Sequence, residues 1–200
     1  MALPVLIGCE CSGNVRDAFS ALGFDAWSCD LKPCEKGSGN HIQGDVVAAV
    51  RSRKWAFIGL HPDCTALTVA GNRHYAQGTP GWSARQRSAQ WTRELWDLVT
   101  SVTKHAYLEN PMGVLPTMAG MKHYQQIQPW QFGHGETKKT CLWLHGLPPL
   151  MHTSIVCGRE QRVWKMPPSK DRKADRSRTY QGIASAMASQ WGAILKQECK

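Results

Sequence analysis

Apolar positions along the chain switch between short continuous runs and helical spacing, in an order that predicts an α/β domain. Pro4–Gly8 (PVLIG) is a short apolar run that ends in small and polar residues, CECSGN. Val15, Phe19 and Leu22 then fall at helical spacing with Gly23 as a stop, and Asp25–Cys29 reads as a second strand ending at Asp30. Strand, small-residue loop, helix, strand and acid, in that order, make the opening of a Rossmann-like unit.

A loop rich in Gly and Lys leads to Gly44, Asp45 and a short helix around Val46–Arg51. Trp55–Leu60 is the next buried strand, and it delivers His61, Pro62, Asp63, Cys64 and Thr65 at its carboxyl end, where open α/β sheets place ligands and chemistry. Ala70–Gln86 is Gly-rich, basic and long enough to be a functional loop. Ser83 is placed to cap a helix reaching Lys104, with Trp91, Leu95, Leu98, Val99 and Val102 as its apolar stripe. His105–Leu108 forms another strand and ends in Glu109, Asn110 and Pro111. Ile127–Phe132 and Thr140–Leu144 read as a later strand pair joined by residues 134–139. Tyr180–Lys196 is an Ala-rich helix with Ile183, Met187, Trp191 and Leu195 on one face. There is no internal repeat, and a single domain over residues 1–200 is expected.

Composition narrows the class. The chain has 200 residues, 42% of them hydrophobic, which is enough to bury a real core. No apolar run approaches the roughly 18 to 20 residues that span a bilayer. The start lacks the basic n-region of a signal peptide, so a cytoplasmic protein is expected. Eight cysteines without a secretion signal read as reduced thiols. No CxxC pair exists, Cys9 and Cys11 lie too close for finger spacing, and His61 and Cys64 lack a second pair; no metal site is expected. The net charge of +9, from 24 basic and 15 acidic residues, points to a polyanionic partner, nucleic acid before membrane. Gly158–Arg178 alone carries eight Lys or Arg against three acids, as either a solvated loop or one that grips phosphate.

Glu10, Asp30 and Asp45 fall at the ends of successive elements. A small-residue loop lets backbone approach a nucleoside cofactor, and an acid after the second strand accepts from ribose hydroxyls. Cys64 and Glu109 then fall at the ends of the next two strands. Cysteine is a strong nucleophile once ionised, and a nearby glutamate can hold or protonate a ring nitrogen.

On these islands the sequence resembles the cytosine-C5 DNA methyltransferases, especially the short phage-encoded members, over about Val5 to Gly192. Glu10, Cys11, Ser12 and Gly13 look like the family's first cofactor motif. Asp30, with Leu31 after it, matches the acid that holds the ribose, and Asp45 with Val46 the motif whose acid contacts the adenine. His61-Pro62-Asp63-Cys64 falls at the nucleophile motif, and Glu109-Asn110-Pro111 at the motif that grips the cytosine edge. Lys138 lies in a segment similar to the one that steadies base and phosphate. Tyr180–Ser185 sits like the last motif, with Ser185 beside the cofactor pocket.

The resemblance implies a Rossmann-like methyltransferase fold, a mostly parallel sheet with helices on both faces. It implies S-adenosyl-L-methionine as cofactor and DNA as substrate. Cys64 would add to cytosine C6 while Glu109 and Asn110 hold the base and Lys138 steadies it. Arg73, His74, Lys170, Arg172, Lys173, Arg176 and Arg178 are the candidates for holding DNA. Asp63 stands where the family has Pro, lysines replace the usual arginines, and Ala184-Ser185 replaces Gly-Asn. An acid beside the thiol should raise its pKa unless cations compensate. Residues 145–178 form a short basic insertion where relatives carry a large target-recognition domain. An enzyme acting on RNA or a free pyrimidine nucleotide, and a non-catalytic DNA-binding relative, stay open.

Overall fold

Val5, Leu6 and Ile7 lie in an interior strand of the computed structural model, which describes residues 2–37 and 39–198. Among the described residues, seven strands form one sheet: β1 Pro4–Gly8, β2 Asp25–Asp30, β3 His41–Gln43, β4 Phe57–Leu60, β5 Ala106–Pro111, β6 Gln125–Ile127 and β7 Thr140–His145. Their order is β3-β2-β1-β4-β5-β7-β6. The first five run parallel, while β7 lies antiparallel between β5 and β6.

The helices are α1 Asn14–Ala21, α2 Val46–Arg51, α3 Asn72–Tyr75, α4 Trp82–Val102, α5 Leu115–Met118, α6 Arg162–Lys165, α7 Arg172–Ser177 and α8 Gln181–Glu198. Side chains of a strand alternate between faces, so β1 feeds two cores at once. Val5 and Ile7 join Phe19, Phe57, Tyr107, Met187 and Trp191 on one face. Leu6 joins Val50, Ile58, Leu60, Leu95, Val99 and Leu108 on the other. Trp191 of α8 is fully buried, 5.1 Å from the Tyr107 ring, and its indole N–H donates to Pro148 O at 3.1 Å. Truncating such a ring costs about 3–5 kcal/mol.

Several expected elements move. Ser83 lies inside α4, which is preceded by Gly81 and has no side-chain cap. The buried stripe of α4 is Arg85, Ala89, Thr92, Leu95 and Val99, and Trp91, one place off that stripe, is 40% exposed. Val102 is 49% exposed, beside the helix end. The strand expected over Ile127–Phe132 is Gln125–Ile127, because Pro129 offers no N–H to a ladder and opens a 3-10 turn over Pro129–Gln131. The expected loop at 70–86 contains α3, and the buried Arg85 guanidinium fixes it by donating to Ala66 O, Thr68 O and the Asn72 side chain. No helix among the described residues is long and apolar enough to cross a membrane.

Candidate active site

Strand order reverses direction between β1 and β4, and ligands of open sheets bind outside the carboxyl ends at such a switch point. The His61 N–H donates to Gly8 O at 2.9 Å, which ties the two strand ends together. In β5, Tyr107 and Glu109 are two residues apart and so share a face. A Cβ on Gly59 would lie 2.4 Å from the Tyr107 ring, so glycine there lets the ring lie across β4. The Tyr107 hydroxyl then reaches His61 Nε2 at 2.7 Å, and His61 Nδ1 reaches Glu109 at 3.3 Å.

These contacts define the protons. Burial pushes the Tyr107 phenol up, so it stays a donor and His61 Nε2 accepts. Nδ1 of the ring is then the atom that donates to Glu109. Burial works against ionising Glu109, but the His61 hydrogen bond and the Lys138 charge outweigh it and hold the carboxyl below its ordinary range. Glu109 is a carboxylate.

Cys64 follows β4 by a tight turn. Buried Asn110 donates to Pro62 O at 3.0 Å and so fixes that turn, while its own Oδ1 has no partner among the described residues. Asp63 points outward. Its carboxylate accepts from the Thr65 N–H at 3.0 Å and hydroxyl at 2.6 Å, and from Lys173 at 3.0 Å. The Cys64 thiol is pushed up to about 11, first by burial, then by the charges of Glu109 and Asp63, with Lys138 opposing. Lys138 donates to Arg178 O at 3.3 Å, and with Glu109, Thr140, Thr179, Tyr180 and Ile183 it lines a small cavity.

The other half of the crevice is built by backbone. Cys9 takes φ 59° after β1 and Gly13 φ 71° before α1. Glu10 is buried beneath this loop, where its oxygens accept from Val15 N–H at 2.9 Å and Ser12 Oγ at 3.1 Å. Asp45 caps α2 by accepting from Ala48 N–H at 3.1 Å. Val46, next to it, is buried. Asp30 accepts from Lys32 N–H at 2.9 Å, and the Leu31 side chain beside it is 77% exposed. Cys11 donates weakly to Glu35, and its thiol is pushed up to about 11 by burial and by Asp30 and Glu35. An uncovered apolar side chain next to an acid at a strand end suits a nucleoside: Leu31 for the base face and Asp30 for sugar hydroxyls. Ser185 lies on the exposed side of α8, where its hydroxyl accepts from Gln181 at 3.4 Å.

The basic segment lies across the crevice. Lys173 pairs with Asp63, and Arg178 pairs with Glu35 at 2.7 Å and also with Asp175. Lys170 is exposed, Arg172 and Arg176 are half-buried, and the Arg172 Nε has no partner among the described residues. Arg73 and His74 are exposed on α3.

Four residues do more than the sequence motifs assign to them. His61, part of the nucleophile motif and at a ligand-like gap from Cys64, holds Glu109; its place directly after a fully buried strand was the available signal. Tyr107, two residues before Glu109, was taken as strand filler. Arg16 is buried, and its guanidinium joins Asp17, Ser28 and Cys34. Tyr180 donates to Glu136 at 2.6 Å and fixes the start of α8. No set of three or more His, Cys, Asp or Glu among the described residues is arranged to hold a metal ion.

The strand order, the antiparallel β7 and the helices on both faces define a Rossmann-like fold of the methyltransferase type. No family model matches the sequence, and a search of curated proteins finds no match. Solved structures do match. A prophage-encoded E. coli protein assigned as a DNA modification methyltransferase aligns with TM-score 0.51 and 11% identity, over 84% of this chain and 56% of its own. The methyltransferase EhMeth of Entamoeba histolytica aligns with TM-score 0.51 and 11% identity, over 78% of this chain and 58% of its own. The chain spans a little over half the length of each. At such identity the likeness establishes the fold.

Proposed function

We propose that this protein transfers a methyl group from S-adenosyl-L-methionine to C5 of cytosine in DNA, with Cys64 as nucleophile. The observation that carries the reading is that Glu109, held as a carboxylate by His61, lines one cavity with Lys138, and the charges of both reach the Cys64 thiol. Leu31, Asp30 and the backbone of residues 9–13 would hold the cofactor, and its sulfonium would supply the methyl group. The solved neighbours described as methyltransferases support the same class.

Cys64 and Glu109 rest in the states opposite to those the reaction needs. The thiol is protonated and the carboxylate ionised, whereas addition to C6 needs a thiolate and a proton at N3. One proton moved from Cys64 to N3 by way of Glu109 satisfies both, and neutralising Glu109 also removes a charge that holds the thiol proton. The thiolate would bond to C6, and C5 would take the methyl group as the sulfonium S–CH3 bond breaks and leaves a thioether. Water would take the C5 proton as the C6–S bond breaks, and N3 would return its proton through Glu109 to the expelled thiolate. Lys138 offsets negative charge near both groups. The base must leave the stack to reach this cavity. Residues 145–178 act in place of a target-recognition domain, and Lys173 and Arg178 would exchange their acids for phosphates.

DNA carrying 5-fluorocytosine, incubated with the protein and cofactor, should yield a covalent complex at Cys64, because fluorine cannot leave C5 as a proton does. Cys64→Ser should lose both the complex and turnover on ordinary DNA while binding cofactor normally. Turnover by Cys64→Ser, or labelled methyl found only in RNA or free nucleotide, would overturn the reading.

A further inference from the structure

Residues 137–140 lead into β7, and their side chains alternate between two hollows. Lys138 and Thr140 line the cavity shared with Glu109. Thr137 and Lys139 line a second, open groove together with Gln128, Gln161 and Trp164. Trp164 is 72% exposed, so most of its indole is uncovered. The helix that carries it is nonetheless anchored. Glu160 bridges Glu136 in parallel fashion, Thr137 N–H donates to Glu160 O at 2.8 Å, and the Arg162 guanidinium meets both oxygens of Glu136 at 2.9 Å. The Gln128 side chain accepts from the Lys138 N–H at 3.0 Å, so the groove shares a wall with the cavity.

We propose that this groove binds the nucleotide adjacent to the target base in DNA. The indole of Trp164 stacks on that base, Lys139 holds its phosphate, and the amides of Gln128 and Gln161 meet its edge. The proposal rests on reading the Glu109 cavity as the pocket for the extruded base. Lys138 and Lys139 are neighbours in an extended segment, so a strand that puts one base in the cavity brings the next one to the groove. The lining suits that occupant. Aromatic faces stack bases of any kind, lysine neutralises phosphate, and side-chain amides read base edges. An apolar peptide would find one aromatic ring among four polar side chains. Glu136, one of two acids beside the groove with Glu160, is already paired with Arg162. The site makes the flanking base a determinant of which cytosines react.

An oligonucleotide pool with one 5-fluorocytosine, random flanks and 5-iodouracil next to the fluorinated base tests this in a fixed register. Irradiating the covalent complex should crosslink the iodinated base to Trp164, located by mass spectrometry. Trp164→Ala should weaken DNA binding about ten- to hundredfold, and Trp164→Phe should keep most of the affinity. Lys139→Ala should lower the salt slope of binding by about one. A covalent complex without a crosslink at Trp164, with the affinity of Trp164→Ala within about twofold of wild type, would overturn the groove while leaving the Cys64 reading intact. Failure of the wild type to bind DNA at all, or a crosslink formed only with RNA, would overturn both.

Discussion

Glu10, buried just after β1, and Glu109, half-buried near the end of β5, are both acids at the carboxyl side of the sheet, yet their oxygens have different work. Glu10 Oε1 accepts from Val15 N–H and Ser12 Oγ and Oε2 accepts from Arg16 N–H at 3.5 Å, so both oxygens are engaged in starting α1. Among the described residues the Glu109 carboxylate meets only the His61 ring, and it lines the cavity beside Lys138. Asp45 follows the first pattern through its cap on α2. On the proposed reading, the nucleoside half of the crevice is shaped by acids that hold backbone, with the second oxygen of Asp30, Leu31 and loop amides left to meet a ligand. The base half is shaped by side chains that hold one another. An acid at a strand end is a binding group only where the fold leaves it an oxygen to offer.

Removing His61 strikes the base half hardest. His61→Ala deletes the hydrogen bond that keeps Glu109 low, so the Glu109 pKa rises and the acid limb of the pH–rate profile moves up. The rate near neutral pH should fall about a hundredfold. His61→Gln, which keeps a donor without a titrating ring, should recover part of it. An unmoved acid limb in the alanine variant would remove His61 from the site.

The two acids of the nucleoside half should separate stability from binding. Glu10→Ala uncaps α1 and should lower stability by about 1–2 kcal/mol, read from the urea midpoint. Asp30→Ala should stay within about 0.5 kcal/mol of wild type in stability. Its affinity for S-adenosyl-L-methionine, by calorimetry, should nonetheless drop about tenfold, as expected for losing hydrogen bonds to a charged acceptor. Equal losses of affinity in both variants, with no loss of stability, would erase the contrast.

The fold was legible because buried parallel strands announce themselves as short apolar runs: β1, β2 and β4 and helices α1, α2 and α8 lie close to where spacing put them. Short elements fixed by tertiary contacts were not legible. β3 has three residues beside β2, and α3 is fixed by Arg85 of the following helix, 13 residues from Asn72. Cys64 and Glu109 were proposed from their places at strand ends, a local signal, and Lys138 from the family resemblance alone. The occupation of Glu10 and the Tyr107–His61–Glu109 chain depend on which atoms meet in three dimensions, including the space left by Gly59. The pairing of Lys173 with Asp63 crosses most of the sequence and had no local signature.

Asp63 gives the smallest effect and the finest test. Its carboxylate comes after burial and Glu109 among the causes that raise the Cys64 thiol to about 11. Asp63→Asn removes that charge but keeps an acceptor for the Thr65 N–H and hydroxyl, so the turn that carries Cys64 survives. It also frees Lys173 from its carboxylate. Loss of the Asp63 charge favours the thiolate. The thiol pKa falls, a larger fraction ionises at any pH below it, and the alkaline limb shifts downward. The rate near neutral pH should rise by about two- to fivefold, with cofactor affinity unchanged. A slower Asp63→Asn enzyme would reverse the assignment: Asp63 would then act on the substrate, orienting its amine or taking the C5 proton, and its bond to Lys173 would hold it in reserve until DNA arrives.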